Sequence, residues 1–381
     1  MVFLAWTLRK KYLIIVGMSK VYDLIVVGGG VAGVSAALSA KRKGKTVALI
    51  EKGSMLGGLA TSGLINWFEP LCDGKGHQLL HSICEELFNL ALNCGYNTFD
   101  PNWNKNKGRM VSWFNHNLFA LSLNKLLIDE NIHIYYETLV SDVFLDDSLI
   151  KEIEIITVED KKRLIAKTFI DASGTAILYR KSNLSVREGT NYLVYVTTTY
   201  KDGIDKPTFQ YTGAFPDGQN QIKDARTYSG LKNNDVNEFL IEGQLHCLKE
   251  YKDKIKKDIS SLPSMPQFRK VASIEGEYTL TKQDLFIHHE DSIGAFGVFY
   301  KPGDIYEIPM GCLYSNKVKN LFAAGRIISS TDDAWEAIRV IPVAILTGEA
   351  AGLMSSLYIE NKLNVNNVQK ELIERGVKLH Y

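Results

Sequence analysis

Three glycines and one acid carry the most specific chemistry in this chain. Gly28-Gly29-Gly30-Val31-Ala32-Gly33 has the spacing G-x-G-x-x-G and follows the apolar run Leu24 to Val27. Each glycine at such a junction has its own physical task. Gly28 lets the chain turn sharply off a strand, Gly30 keeps side-chain bulk away from an approaching pyrophosphate, and Gly33 lets the next helix lie close to the sheet. Glu51 closes a second β-branched run, Thr46 to Ile50, about 20 residues farther on, where a carboxylate can accept hydrogen bonds from both hydroxyls of a ribose. Strand, glycines, helix, second strand and terminal acid together point to a dinucleotide site. An acid here favours an unphosphorylated ribose, hence NAD or FAD over NADP, and the motif does not separate those two.

The elements that must position these residues are legible around them. Ala32, Ser35, Ala36, Ala37 and Ala40 give a small-faced helix. Lys41 to Lys43 stand at its C-terminal end, where the macrodipole favours cations, and Gly44 is placed as the C′ residue. Lys52 to Gly63 is glycine-rich, suited to lie flat on a large ligand or, failing that, to be a mobile surface loop. Helical spacing is expected over Gln78 to Asn93 and Leu118 to Asp129, with a parallel strand at Ile132 to Tyr136. Thr138 to Leu145, Ile150 to Val158 and Arg163 to Lys167 read as an antiparallel meander inserted as a crossover. Thr168 to Ile170 then ends at Asp171-Ala172-Ser173-Gly174, a second switch built from small residues.

From about residue 183 the pattern changes to a mixed α+β region. It has a strand at Leu193 to Tyr200, a charged helical stretch at Asn234 to Lys257 and an extended run opening at Tyr278 to Thr281. The tail returns to the first pattern. Asn320 to Ala324 runs as a buried strand into Gly325 and Arg326, and a small-faced helix begins near Pro342, which suits position N1. The expected organisation is 18–182, 183–316 and 317–381, the first and last segments forming one domain. Residues 1–17 contain two short apolar runs split by Arg9, Lys10 and Lys11, with no cleavage site. An upstream start codon, with Met18 the natural beginning, explains them better than an extension that packs on the fold.

A net charge of +1 leaves no electrostatic case for nucleic acid or an anionic membrane, and no integral membrane span is expected. Cysteines 72, 84, 94, 247 and 312 form no C-x-x-C pair, which argues against a disulfide framework and against a metal site and suits a reducing cytoplasm.

The motifs together resemble the FAD-dependent oxidoreductases of the glutathione-reductase, two-dinucleotide-binding superfamily. The likeness runs from about Val21 to Tyr358. It rests on residues 28–33 with Glu51, 57–63, 171–174, 275–281, 321–326 and 339–352. It implies an α/β fold: a Rossmann-like FAD-binding domain, its parallel sheet carrying a β-meander crossover, plus a mixed α+β substrate domain. It also implies that Gly28, Gly30 and Gly33 hold the pyrophosphate and Glu51 the adenosine ribose. Gly57, Gly58 and Thr61 would line the passage to the flavin, and Val140 would meet the adenine through its backbone. Ala172 and Gly174 would pass the adenosine half, Gly325 and Arg326 the ribityl chain, and Ile341, Pro342 and Val343 the flavin N1–C2=O edge. Val31, Ala32, Lys52, Leu59 and Ala60 complete the expected cofactor set. Where the family pattern has a His-Glu pair, this chain has Asp332-Asp333-Ala334-Trp335-Glu336-Ala337, so no acid–base role is carried over from that stretch.

The catalytic residues expected are Arg339, a cation beside the flavin N1 with a surface salt bridge as the alternative, and Tyr278. His77, His81, His116, His288 and His289 are further acid–base candidates, each with a structural or solvated role as the simpler account, and Cys312 reads as a buried inert thiol. Gly294 and Gly297 lack a strand-and-helix frame, so no nicotinamide domain is expected. Electrons would come from a small-molecule substrate or a separate donor. The leading function is hydride transfer between that substrate and non-covalent FAD. Alternatives are a flavin-dependent monooxygenase or halogenase, and a non-catalytic flavin-binding partner protein. The oligomeric state is left open.

Overall fold

The computed structural model describes residues 21–106, 108–201, 204–212, 225–252 and 258–381. The question of residues 1–17 lies outside them. At the centre is β1 (Val21–Val27), with Leu24, Ile25 and Val26 fully buried. It pairs in parallel with β2 (Val47–Ile50) on one side and with a long strand, Lys161–Asp171, on the other. The sheet continues from β2 to β3 (His133–Tyr135), also parallel.

The meander is present as β4 (Leu139–Asp146), β5 (Leu149–Ile156) and the long strand, β6 (Lys161–Asp171), in consecutive antiparallel pairs. The run Arg163 to Lys167 and its continuation Thr168 to Ile170 form one continuous strand, because no turn residue interrupts them. Its burial records two environments. The outer half alternates exposed and covered residues, whereas Thr168 to Asp171 are buried throughout, as in a strand covered on both faces. There β6 pairs with β1 and, on its other edge, with the late strand Leu321–Ala323.

Helix α1 (Val31–Arg42) begins one residue after Gly30 and ends at Lys43, with Gly44 at φ +79° as C′. Expected helix 78–93 begins only at Ile83, as α2 (Ile83–Asn93). Leu79 and Leu80 instead donate their N–H groups to Leu71 O, and Ser82 stands at φ +56°. Their apolar character served loop burial, not helix periodicity. Helix α3 (His116–Asp129) starts two residues early because Asn115 Oδ1 accepts from the N–H groups of Asn117 and Leu118.

Strand β7 (Thr190–Lys201) pairs antiparallel with residues 204–212, 227–229 and 258–261, and helix α4 (Asn233–Lys252) packs beside them. The rest of the expected helix, 253–257, is outside the described residues. This unit has its own apolar cluster, Leu193, Tyr195, Tyr228, Phe239, Cys247, Phe268 and Val271. Ile274, Phe296, Tyr306 and Ile308 belong instead to the large cluster around β1, so residues 183–316 contribute to two cores. The extended run expected at Tyr278 to Thr281 is reduced to a single bridge from Leu280 to Ser330, followed by a capped turn at Lys282–Asp284.

After Leu321–Ala323 come α5 (Asp332–Ile338) and α6 (Ile341–Ile359), with Pro342 the second helical residue rather than the first. Helix α6 is long and apolar enough to cross a membrane, but 94% of its apolar stretch is buried against the rest of the chain. It lies against α1, with Ser35 and Ser39 donating to Ile345 O and Glu349 O at 2.7 Å each. A Cβ on Gly348 would fall 2.2 Å from Ala32 O, and one on Gly352 2.3 Å from Ala36 O. We therefore expect Gly348→Ala to lower the unfolding free energy by about 1–3 kcal/mol through overpacking. Urea denaturation of the purified variant measures it, and an unchanged midpoint would mean the two helices separate freely.

Candidate functional site

The cleft opens where β1, β2 and β6 end. Beyond their last ladder bonds Gly28 N–H reaches Ile50 O at 2.8 Å, Ala172 N–H reaches Val27 O at 2.8 Å, and the backbones diverge. This is the crevice at the carboxyl ends of the strands that open α/β sheets use for ligands. It encloses about 460 Å³ and brings together Gly28, Gly30, Val31, Ala32, Glu51, Lys52, Gly57, Gly58, Leu59, Ala60, Ala172, Gly174, Gly325, Arg326, Arg339 and Ile341. Of the other expected residues, Gly33, Thr61, Pro342 and Val343 are buried behind this lining, Val140 is half-buried on β4, and Tyr278 stands apart from the cleft.

The glycine turn is tight wherever backbone meets backbone. Gly28, at φ +107°, would place a Cβ 2.4 Å from Ala172 O, and Gly33 would place one 1.8 Å from Gly28 O. Gly30 differs: no atom lies within 4 Å of its missing Cβ, so the space it keeps clear is the cleft itself. Gly30 is also the N-cap of α1 and offers no side-chain cap, leaving the first N–H groups of the helix directed at that space. The loop after Glu51 is not loose. Gly57 N–H donates to Gly29 O at 2.8 Å, and Thr61 Oγ1 donates to Leu56 O at 2.5 Å, so Thr61 braces the loop from behind.

Glu51 reaches back to the turn. Its Oε2 accepts from Gly29 N–H at 2.7 Å and its Oε1 from Gly53 N–H at 2.8 Å, and each oxygen keeps a second acceptor position. The 171–174 turn is organised by Asp171, whose Oδ1 accepts from Ser173 N–H and Oγ and whose Oδ2 accepts from Leu178 N–H. Burial pushes this carboxyl up, against the pull of those hydrogen bonds.

At the other end, Arg326 donates through Nε to Gly174 O at 3.1 Å and through Nη1 to Phe268 O. Burial, and then the charge of Arg339, push this guanidinium down to about 10. Arg339 is not a free cation: its Nη2 pairs with Glu336. Burial opposes ionisation of Glu336, but Arg339, Lys270 and Arg269 hold the carboxyl below its usual range. The uncapped N-terminus of α6 opens here, with Ile341 and Ala344 on the lining.

Sequence reasoning missed Ser264, Met265 and Pro266, which also line the cleft. Ser264 N–H donates to Ser62 O at 3.0 Å, and Gln267 Nε2 bridges Gly63 O and Val196 O. The available signal was Pro263 and Pro266, which stiffen an extended segment. Glu137, at φ +48°, is a further missed residue at the edge.

The acid–base candidates lie elsewhere. Tyr278 donates to Asp284 Oδ1 and meets His289 edge to face; burial, with Asp284, raises its hydroxyl well above the ordinary tyrosine value. His77 and His81 pair with Asp73 and Glu85, and His116 is buried at the start of α3. Burial likewise raises the Cys312 thiol well above its usual range. His288 and His380 place Nδ1 atoms 3.5 and 2.9 Å from Glu307 Oε2, a grouping invisible in the sequence because His380 is so distant along the chain.

The model of a family described as FAD dependent oxidoreductase matches residues 23–194 and 194–377. This chain belongs to the FAD-dependent oxidoreductase family. It is thus an FAD-dependent enzyme of the two-dinucleotide-binding superfamily. The chain is 50% identical over 54 residues to an NADH:acrylate oxidoreductase of Vibrio harveyi, covering 14% of this chain and 5% of that protein. It is 32% identical over 81 residues to a thioredoxin reductase of Ureaplasma parvum, covering 21% and 26%. Only these small parts of the two relatives are spanned. Among solved structures, an aromatic hydroxylase from angucycline biosynthesis shares the fold at a TM-score of 0.50, with 10% identity over 93% of this chain and 66% of that one. A p-nitrophenol 4-monooxygenase of Pseudomonas putida has a TM-score of 0.48, with 14% identity over 93% and 84%.

The residues present fit FAD. The cradle at Gly30 and the helix start suit the pyrophosphate, the open acceptor positions of Glu51 suit a ribose, and the α6 end offers N–H donors. Glu51→Gln should weaken FAD binding by about 1–3 kcal/mol, since a charged acceptor is lost beside two N–H donors. Fluorescence titration of the apoprotein with FAD checks this, and an unaltered dissociation constant would place the ribose elsewhere.

Proposed function

We propose that the protein transfers a hydride between a small organic substrate and FAD held without a covalent bond in this cleft. The observation that supports this most directly is the cleft's polarity: a carboxylate at one end, and two cations with a helix N-terminus at the other. In this reading Glu51 holds the adenosine ribose, Gly28 to Gly33 with Gly57 and Gly58 cradle the pyrophosphate, and Gly325 and Arg326 follow the ribityl chain. FAD supplies the two-electron chemistry. Arg339 and the N–H groups at the start of α6 stabilise negative charge at the edge of the ring. Glu336 tempers that cation by pairing with it.

The unit built on β7 and α4 is the substrate-side domain, and its segment Ser264 to Pro266 closes one wall. Gly294 would clash with Leu346 and Gly297 with Cys72 O, so both are packing glycines in the 292–297 and 305–309 hairpin. In this reading electrons come from the organic substrate or a separate donor. None of the five cysteines, all buried, forms a disulfide, which supports a reducing compartment such as the cytoplasm.

The protein should purify yellow and release intact FAD on denaturation; colourless protein unable to take up FAD would refute the reading. Anaerobic titration with micromolar NADH or NADPH should give no saturable bleaching. Saturable reduction would reveal a nicotinamide site, and oxygen uptake matched to a hydroxylated or halogenated product would favour the oxygen-dependent alternative. Arg339→Ala should lower the midpoint potential, read by equilibration with redox dyes, while FAD stays bound.

A further inference from the structure

Away from the cleft, the segment around His380 meets the hairpin of strands 292–297 and 305–309. Glu307 lies in the second of these strands and is only 1% exposed. A buried carboxylate needs a cation or well-placed donors to hold its charge. Among the described residues Glu307 has no lysine or arginine partner, and its ion-pair partners are two imidazoles. Nδ1 of His380 is 2.9 Å, and Nδ1 of His288 3.5 Å, from Glu307 Oε2. One ligand atom from each of the three residues lies within 4.8 Å of the others. The two imidazole centroids are 4.4 Å apart.

The fold holds all three in place. Lys378 O accepts from Ala295 N–H at 3.0 Å, and Leu379 O accepts from Ser292 Oγ at 2.8 Å. On the other side of His380, Tyr381 donates through its hydroxyl to Phe286 O at 2.7 Å. His289 N–H donates to Glu307 Oε2 at 2.9 Å, an outer hydrogen bond that orients the carboxylate and leaves that oxygen a second lone pair. The His289 side chain turns away, its Nε2 3.3 Å from Asp284 Oδ1. The adjacent histidines thus part company, and the second imidazole comes from His380. The carboxylate forms a closed floor, whereas the side chains of His288 and His380 are 56% and 38% exposed, so an ion can enter from solvent.

We propose that His288, Glu307 and His380 bind a divalent transition ion of the zinc class. Two imidazole nitrogens and one carboxylate oxygen suit such ions, whereas magnesium and calcium take oxygen ligands. Bonds of about 2.0–2.2 Å to a tetrahedral ion place neighbouring donors about 3.4 Å apart. The separations of 2.9 and 3.5 Å from Glu307 Oε2 fall on either side of that value, so small ring rotations admit the ion. The ion takes the place of the hydrogen between His380 Nδ1 and Glu307 Oε2. Each imidazole then keeps one proton, on Nε2, and any second proton goes to solvent. Glu290 Oε1 stands 3.7 Å from His288 Nε2, on the side where a carboxylate orients a metal-bound imidazole. None of the three ligands lines the cleft. An ion here fastens residues 378–381 to a hairpin whose Gly294 packs on Leu346 of α6, and its role is to stabilise the fold.

The test uses the tag-free full chain, stripped with a chelator and titrated calorimetrically with Zn²⁺. One ion per chain should bind, and Mg²⁺ should not compete. Co²⁺ should give the visible bands of a nitrogen–oxygen site, and prior addition of Zn²⁺ should abolish them. His288→Asn and His380→Asn remove ligands that are part-exposed, so the core stays intact. Each should weaken Zn²⁺ binding by at least about ten-fold with an unchanged circular dichroism spectrum. His246→Asn, at an exposed position of α4, should bind as the parent does. Zn²⁺ at about one hundred times its dissociation constant should raise the melting temperature of the parent, and the same concentration should raise that of His380→Asn by less. Absence of saturable binding or of Co²⁺ bands in the parent overturns the site. So does Mg²⁺ binding as tightly as Zn²⁺. Zn²⁺ affinity equal in the parent and both ligand variants marks an adventitious ion only, and overturns it as well.

Discussion

Backbone packed directly on backbone is the constraint on which the rest of the molecule depends. Gly33 rests on Gly28 O, Gly28 on Ala172 O, Gly348 on Ala32 O and Gly352 on Ala36 O. These approaches join the end of β6, the glycine turn, α1 and α6 into one closely fitted block. Because no Cβ intervenes, the starts of α1 and α6 converge on the same cleft, and their unsatisfied N–H groups and dipoles act on one volume. The same constraint explains why both helices are apolar and small on nearly every face: one is held between sheet and helix, the other between helix and core.

The cleft is electrically graded. Glu51 and Glu137 mark one end, with backbone N–H groups in the middle and Arg326 and Arg339 at the other. A ligand that carries hydroxyls at one end, phosphates in its middle and a ring that gains charge at the other end meets a complementary partner at each point. The second unit contributes to this gradient, since the backbone carbonyl of Phe268 accepts from Arg326 and the Lys270 side chain approaches Glu336. The unit built on β7 and α4 is thereby tied to the polar end of the cleft through a hydrogen bond and an ion pair.

Much of this was readable in the chain because its signals are local. Glycine spacing, a β-branched run and a terminal acid act within a few residues, and the structure finds Gly28, Gly30 and Glu51 around the cleft. What could not be read depends on distant partners. The expected helix over 78–93 lost its first turn because Leu71, not the next turn, accepts from Leu79 and Leu80. Arg339 was read as a cation beside the flavin or in a surface salt bridge, and its partner Glu336 declares itself only once α5 turns. Tyr278 stands apart from the cleft, held by Asp284. Ser264 to Pro266 carry no chemistry of their own and come to the lining only through Gln267 and Ser62.

The dual character of β6 bears on how the chain reaches this state. Its outer half pairs with β5, a neighbour in sequence, so that part of the sheet closes through short loops. Its inner half waits for Leu321–Ala323, which must return across a far longer stretch of chain. Long-range closure is entropically expensive and slow relative to hairpin formation. During synthesis the glycine turn and the meander can therefore assemble while the final strand and α6 are still inside the ribosome. Until those arrive, α1 exposes the small-residue face that α6 is meant to cover. The nascent chain thus carries an open apolar flank for much of its translation, and the cleft becomes complete only when that flank is sealed.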